Sequence, residues 1–174
     1  MNRTRADGLE KIARFQVRWV FGNIGTTLRQ QLVAFWLKER ALADADEAWR
    51  RAFEVACLLL DDANGDIAGV CTVAIRLDDR GCSYGFVRIF IRPESRLMGL
   101  NARMLKRMTE GFSALASEPG APQRLIATIE NRKIERRGAQ RTLARLGFVN
   151  IGTAPNGEMM IERQLSAEAP PRST

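Results

Sequence analysis

The chain has 174 residues, of which 45% are hydrophobic and 27% charged, a balance typical of a single packed soluble domain. It contains no histidine, so the commonest metal ligand and the commonest general base are both missing. The composition therefore argues strongly against a zinc site and against a Ser/His/Asp triad. No apolar stretch approaches the roughly 20 residues that span a bilayer, and the charged first residues do not fit a signal peptide. We expect a cytoplasmic protein with no membrane partner.

The net charge of +7 is unevenly distributed along the chain. Residues 92–145 contain twelve Arg or Lys and five Glu, so this stretch accounts for the whole positive surplus. Such a surface attracts phosphates, and composition alone does not decide between a nucleotide cofactor and nucleic acid.

The N-terminal third is predicted to be helical. One apolar stripe at helical spacing consists of Leu9, Ile12, Phe15 and Trp19. A second stripe, for which Thr26 or Thr27 would be the cap, consists of Leu28, Leu32, Phe35 and Trp36. A short helical turn is predicted at 46–51.

The middle of the chain has the pattern of strands. Residues 53–60 are an apolar run, 61–66 form a dense turn signal, and 67–77 are rich in β-branched residues, which together predict a hairpin. A third strand at 84–92 ends where Pro93 removes a ladder donor. The pattern therefore predicts a three-stranded antiparallel meander.

After Pro93 the apolar period changes to that of a helix, and one stripe runs from Leu97 to Leu115. Residues 124–130 then resemble a strand. A strand, a crossover helix and a second strand favour a parallel pair between 84–92 and 124–130.

The last part of the chain is predicted to hold a loop, a helix and a hairpin. The basic residues 132–138 are interpreted as a loop closed by Gly138, because a glycine interrupts helices. A short helix ends at Gly147, and the strands 148–153 and 158–164 follow. We expect one domain over 1–165 and a disordered tail at 166–174.

This order of elements resembles the GNAT acyltransferase superfamily over residues 26–165. The family's cofactor loop, Gln/Arg-x-x-Gly-x-Gly/Ala, opens the long helix, and Arg96-Leu97-Met98-Gly99-Leu100-Asn101 occupies that place here. Asn131 and Gly147-Phe148 match two further family positions. The resemblance implies an α/β (α+β) fold with a mixed sheet, in which an antiparallel meander adjoins a parallel strand pair splayed at the cofactor cleft, flanked by helices.

Two positions depart from the family pattern. Asn101 stands where the family prefers Gly or Ala, although Ala102 follows at once. Leu143 stands where many members carry a Tyr suited to protonating the departing thiolate. The sequence therefore has no phenolic acid at that point.

The motif from Arg96 to Asn101 also has a physical reason to bind phosphate. A glycine near a helix N-terminus lets backbone N–H groups approach a pyrophosphate, and the helix dipole favours an anion there. The resemblance implies an N-acyltransferase that uses acetyl-CoA or another acyl-CoA, with the thioester carbonyl polarised by a backbone N–H near Ile91 or Arg92. The implied cofactor-binding residues are Ile91, Arg92, Arg96, Leu97, Met98, Gly99, Leu100, Asn101, Ala102 and Asn131.

The acceptor is expected to be an amine, whose identity the sequence does not reveal. Direct attack on the thioester needs positioning, an oxyanion donor and a route for one proton, which suits a chain without histidine. Glu130 is the candidate base, with Glu94 as a weaker one, and Tyr84 is a candidate proton donor. A solvated surface carboxylate and a rim aromatic are the simpler interpretations of these side chains.

A second hypothesis is a nucleic-acid-associated GNAT-like protein that modifies or binds DNA or tRNA through the basic residues 132–145. The sequence shows no helix-turn-helix, zinc site or RNA-binding aromatic signature, which weighs against it. A purely structural interaction module is a third reading. The oligomeric state stays open, a homodimer included.

Overall fold

The computed structural model describes residues 11–129 and 137–165. Contacts divide the chain into two compact units. Among the described residues, the first unit joins 11–72 to Ile89–Met108, and the second joins Val73–Arg88 to 109–129 and 137–165. The single domain expected over 1–165 stays a prediction. The tail expected at 166–174 lies outside the described residues.

The described residues form seven strands, four α-helices and two short 3₁₀ turns. The strands are β1 Phe15–Trp19, β2 Val55–Asp61, β3 Ile67–Leu77, β4 Ser83–Ile91, β5 Arg124–Ile129, β6 Val149–Thr153 and β7 Met159–Gln164. The α-helices are α1 Thr26–Lys38, α2 Ala45–Arg51, α3 Leu100–Ala114 and α4 Arg137–Arg145, and short 3₁₀ turns lie at Ala52–Glu54 and Pro93–Ser95. No helix in the described ranges is long and apolar enough to cross a membrane.

The strands form one seven-stranded mixed sheet in the order β1-β2-β3-β4-β5-β7-β6. β1, β2 and β3 pair antiparallel, and β7 pairs antiparallel with both β5 and β6. β4 and β5 are parallel, in a register that runs from Tyr84↔Arg124 to Val87↔Ala127. The predicted fold class, the hairpin of β2 with β3 and the parallel pair are therefore confirmed.

The core of the first unit forms where α1 packs on β2. All seven residues of β2 are buried, and α1 buries Leu32, Phe35 and Trp36. Removing an aliphatic side chain such as Leu32 from water stabilises the fold by about 1.5–3 kcal/mol. The apolar stripe predicted for this helix is thus its core-facing side.

The prediction of a helix through Phe15 and Trp19 is wrong. Residues 11–13 are helical, but Phe15–Trp19 is an extended strand that pairs with β2 from Phe15↔Asp61 to Trp19↔Cys57. The apolar residues Phe15, Val17 and Trp19 also alternate with polar ones, so this short segment fits both periods. Pairing with the edge of β2 satisfies its backbone groups and decides the outcome.

Two local predictions about helix ends are also corrected. α1 is capped by Gly25, without a side-chain hydrogen bond, and not by Thr26 or Thr27, which lie inside its first turn. Gly138 lies in α4 and does not close a loop, since the first turn of a helix tolerates glycine at a cost of about 1 kcal/mol. The rest of the segment predicted as a loop, 132–136, lies outside the described residues.

The long helix after Pro93 is confirmed as α3. It buries the side chains of Leu100, Met104, Met108 and Phe112 completely. These residues recur every four positions, which places them on one face of the helix.

In the second unit, α4 ends as predicted at Gly147, which has a φ of +79°. The N–H of Gly147 donates to the Ala144 carbonyl at 2.9 Å, and that of Phe148 donates to the Leu143 carbonyl at 3.0 Å. This pair of bonds is a Schellman motif, for which a residue without a Cβ is preferred. It turns the chain directly into β6.

Candidate cofactor-binding site

The segment that follows β4 is held in a tight backbone arrangement. The N–H of Arg92 donates to the Ala68 carbonyl of β3 at 2.9 Å. The 3₁₀ turn then forms as the N–H of Ser95 donates to the Arg92 carbonyl and that of Arg96 to the Pro93 carbonyl, at 3.0 and 3.3 Å. Because Pro93 has a fixed φ and no N–H, it suits the first position of such a turn. The turn delivers residues 96–99, which we call the cofactor loop, to the start of α3.

Gly99 is the point at which the cofactor loop becomes a helix. Its φ is +98°, a conformation that residues with a side chain rarely adopt. Its carbonyl accepts the first helical hydrogen bond, from the N–H of Arg103 at 3.0 Å, and the N–H of Leu100 donates to the Leu97 carbonyl at 3.3 Å. Within the described ranges, the N–H groups of Gly99, Asn101 and Ala102 have no protein acceptor. Unpaired donors at a helix N-terminus, together with the dipole, form a site for an anion.

Arg96 adds positive charge to this loop. Its Nε donates to the Ile91 carbonyl at 2.9 Å, which ties the side chain to the end of β4. The side chain is exposed, and its terminal nitrogens have no partner in the part of the chain that the structure describes. The guanidinium is therefore anchored at one nitrogen and available to an anion at the others.

The side chain of Arg92 points into the protein. Its Nε donates to Ser95 Oγ at 2.7 Å, and its Nη2 donates to Asp61 Oδ2 at 3.3 Å. Its side chain is only 13% exposed. Its guanidinium therefore stabilises the turn at 93–95 from the protein interior.

Asp61, at the end of β2, is a buried carboxylate that sequence reasoning missed. Arg14 donates to both of its oxygens, each at 2.6 Å, and the N–H of Ala63 donates to Oδ1 at 3.1 Å. The bonds from Arg14 are the main reason that the pKa of Asp61 lies below its ordinary value. The only signal in the sequence was an aspartate at the junction of an apolar strand and a turn.

The N-terminal segment reaches the cofactor loop as well. Arg103 Nη1 donates to the Ile12 carbonyl at 2.8 Å. A Cβ built on Gly99 would lie 3.9 Å from Ile12 Cδ1. Residues 12–14 therefore contact both the first turns of α3 and, through Arg14, the carboxylate of Asp61.

The structure brings the predicted loop residues together in the first unit. Leu100 and Ile91 are buried, Leu97 and Ala102 are half-buried, and Asn101 is exposed. Met98 is 94% exposed. Asn131, the remaining cofactor candidate, lies outside the described residues.

Of the catalytic candidates, Glu94 lies in the turn that leads to the cofactor loop, and Tyr84 lies in the second unit. Tyr84 begins β4, whereas the cofactor loop follows the other end of that strand. Its ring lies 5.8 Å from the guanidinium carbon of Arg124, which is itself paired with Asp78 and Glu162 at 2.8 and 2.9 Å. Glu94 is exposed and lies 3.5 Å from Arg92 Nε. Glu130 lies outside the described residues.

Leu143 is half-buried in α4 and offers no proton donor. Among the described residues, no group of three or more Cys, Asp or Glu is placed to hold a metal ion.

Comparison of the sequence with known proteins identifies no relative. No family model matches the chain, and no curated protein matches it either. The fold, in contrast, matches many solved structures.

Three of these structures show the extent of the likeness. A GNAT-family acetyltransferase from Streptococcus pneumoniae has a TM-score of 0.62 and 19% identity, covering 87% of this chain and 99% of its own. The ribosomal-protein-S5-alanine acetyltransferase from Vibrio fischeri has a TM-score of 0.60 and 16% identity, with coverages of 90% and 96%. A GNAT superfamily phosphinothricin acetyltransferase from Sinorhizobium meliloti, solved in complex with AcCoA, has a TM-score of 0.62 and 15% identity, covering 88% of this chain and 89% of its own. At such identities the likeness is one of fold, and this chain has the GNAT fold.

Proposed function

We propose that this protein is a divergent GNAT enzyme that transfers an acyl group, the acetyl group of acetyl-CoA in the first instance, to an amine. The observation that carries the proposal is the set of unpaired N–H groups at Gly99, Asn101 and Ala102, where α3 begins. A pyrophosphate suits this arrangement, because it offers several anionic oxygens to unpaired donors within one short segment. Arg96 supports it by adding a positive charge to the same loop, with its Nε anchored to the Ile91 carbonyl.

The end of β4 supplies a candidate oxyanion donor. Successive N–H groups of a strand point to opposite sides, and the N–H of Arg92 is already bonded to Ala68 of β3. The N–H of Ile91 therefore points away from β3. Of the two donors considered from the sequence, we assign the role to Ile91.

Direct transfer fits the side chains that are present. The amine nitrogen would form a bond to the thioester carbonyl carbon, the carbon–sulfur bond would break, and the departing thiolate of CoA would take up a proton. A covalent intermediate on Cys57 or Cys71 is disfavoured, because burial raises the pKa of Cys57 to about 12 and that of Cys71 well above its ordinary value. We keep Glu130 as the proposed base, on the strength of its position directly after β5.

The second candidate is a nucleic-acid acceptor or ligand. It is favoured by α4, which contains no acidic residue and exposes Arg141 and Arg145 one turn apart. Duplex binding through these residues would weaken with salt, with a slope of roughly −0.9 per neutralised phosphate. The charge-reversal pair Arg141→Glu and Arg145→Glu should leave acetyl-CoA binding unchanged and remove any such duplex binding.

The experiment that tests the proposal is a calorimetric titration of acetyl-CoA into the wild type and Gly99→Val. Branched carbons at Gly99 would occupy the space that the pyrophosphate needs, so affinity should be lost. A bound ligand at a hundredfold excess over Kd should also stabilise the wild type by about 2.7 kcal/mol in a thermal shift.

Gly120→Val is the matched control, since Gly120 also has a positive φ, of +79°, with open space around it. Both variants carry similar backbone strain of about 1–3 kcal/mol, but only one lies in the cofactor loop. Equal loss of affinity in the two variants, or none in a folded Gly99→Val, would refute the assignment.

A further inference from the structure

Asp61 is placed where the cofactor loop, β2 and the N-terminal segment meet. Its carboxylate accepts four hydrogen bonds, from Arg14 Nε and the Ala63 N–H at Oδ1, and from Arg14 Nη2 and Arg92 Nη2 at Oδ2. An ionised carboxylate has about four such positions, so all of them are filled. The side chain is only 1% exposed.

The link from Asp61 to the loop passes through Arg92. Arg92 Nε donates to Ser95 Oγ, while the Ser95 N–H donates to the Arg92 carbonyl. Ser95 is itself 4% exposed, so water does not compete at this point. These two hydrogen bonds between Arg92 and Ser95 stabilise the turn at 93–95. Arg96 and the rest of the cofactor loop follow this turn directly in the chain.

A rival partner for Arg92 lies close by. Glu94 Oε1 is 3.5 Å from Arg92 Nε, and its side chain is 62% exposed. Without a charge at Asp61, the guanidinium would turn toward this exposed carboxylate. Its bond to Ser95 Oγ would then be lost, and the turn would be free to relax.

We propose that Asp61 is a positioning residue for the cofactor loop, acting through Arg92 and Ser95 and not touching the cofactor itself. This inference rests on the proposed function, because it assumes that the loop binds acyl-CoA. Arg14 completes the arrangement by sharing Oδ2 with Arg92 and by joining residues 12–14 to the same carboxylate. The geometry of the N–H groups at Gly99 and beyond then depends on a residue 38 positions earlier in the sequence.

The test uses Asp61→Asn, which keeps the size of the side chain and removes its charge. The dissociation constant for acetyl-CoA should rise about tenfold, which corresponds to about 1.4 kcal/mol. With any amine that the wild type acetylates, KM for acetyl-CoA should rise by a similar factor while kcat stays within about twofold. A merely structural role would lower the unfolding midpoint without this split.

Controls make the outcome specific. Glu47→Gln removes the carboxylate of a surface pair with Arg51, at 2.5 Å, and should leave acetyl-CoA affinity unchanged. Ser95→Ala removes the hydroxyl to which Arg92 donates, and it should weaken acetyl-CoA binding as Asp61→Asn does. The double variant should bind no more weakly than either single one, because both changes break the same connection.

The outcomes separate the two proposals. If the wild type does not bind acetyl-CoA, the proposed function fails and the positioning role fails with it. If the wild type binds and folded Asp61→Asn binds equally well, only the positioning role is wrong. Should Asp61→Asn not fold, Ser95→Ala decides alone, and unchanged affinity in that variant overturns the inference.

Discussion

A Cβ atom on Gly69 would lie 2.8 Å from the carbonyl oxygen of Phe90. The neighbouring Ile91 leaves no more room, since its Cγ1 would be 3.0 Å away. Gly69 lies on β3, and Phe90 and Ile91 form the end of β4. Only a residue without a side chain lets the two strands approach this closely just before the cofactor loop.

Gly69→Ala should therefore destabilise the protein, by about 1–3 kcal/mol for an overpacked site. The conflict is with a backbone oxygen, so a change of rotamer does not relieve it. Gly138→Ala is the matched control: nothing lies within 4 Å of its added Cβ, and alanine is the better helix former, so stability should rise by up to about 1 kcal/mol. Urea unfolding of both variants measures the difference, and equal stabilities would contradict the packing described for Gly69.

The pH dependence of stability should include a contribution from Asp78, in the turn between β3 and β4. Its pKa is lowered chiefly by the N–H of Cys82, with the N–H of Arg80 and the guanidinium of Arg124 adding to the effect. A group whose pKa is depressed by folding stabilises the native state above its unfolded pKa of about 3.9, and this stabilisation is lost as the pH falls through the folded value.

Asp78→Asn should thus be less stable than the wild type at pH 7, and the gap should close as the pH falls below about 4. Unfolding free energies at a series of pH values provide the comparison. A gap that stays constant down to pH 3 would show that the charge of Asp78 is not responsible.

The three cysteines should differ sharply in reactivity. Cys57 and Cys71 are buried free thiols, and burial raises the pKa of both, whereas Cys82 is half-buried. Because the thiolate is the reactive form, a disulfide reagent such as Ellman's at pH 8 should label Cys82 alone in the native protein. Three thiols should react after unfolding in denaturant. Rapid native labelling that persists in Cys82→Ser would contradict the burial of the other two.

Much of the fold could be predicted from the sequence, because long segments had one dominant period. The apolar pattern along the eleven residues of β3 fits only a strand, and the apolar row of α3 fits only a helix. Phe15–Trp19 is too short for its period to decide, and its conformation depends on β2 as a partner from a distant part of the sequence. Tertiary pairing overrode the local pattern in that segment.

The site was predictable only in part, for a related reason. Arg96 and Gly99 were visible because their spacing lies within one local motif. The pair of Asp61 and Arg92 spans 31 residues and exists only after β2 and β4 have taken their places in the sheet. No local pattern in the sequence could indicate that the guanidinium of Arg92 faces a buried carboxylate.

We propose above that backbone N–H groups at the start of α3 hold the pyrophosphate of an acyl-CoA, and Asn101 is the residue at which this is tested most directly. Proline at Asn101 removes one of these donors, and the first turn of a helix tolerates proline, while Asn101→Ala keeps the donor and removes only an exposed side chain. Calorimetric titration of acetyl-CoA, with folding checked by circular dichroism, should give a wild-type affinity for Asn101→Ala. For Asn101→Pro the affinity should fall roughly ten- to hundredfold, as expected for one charge-assisted hydrogen bond of about 1.5–3 kcal/mol. Equal binding by a folded Asn101→Pro, or no binding by the wild type, would contradict the account.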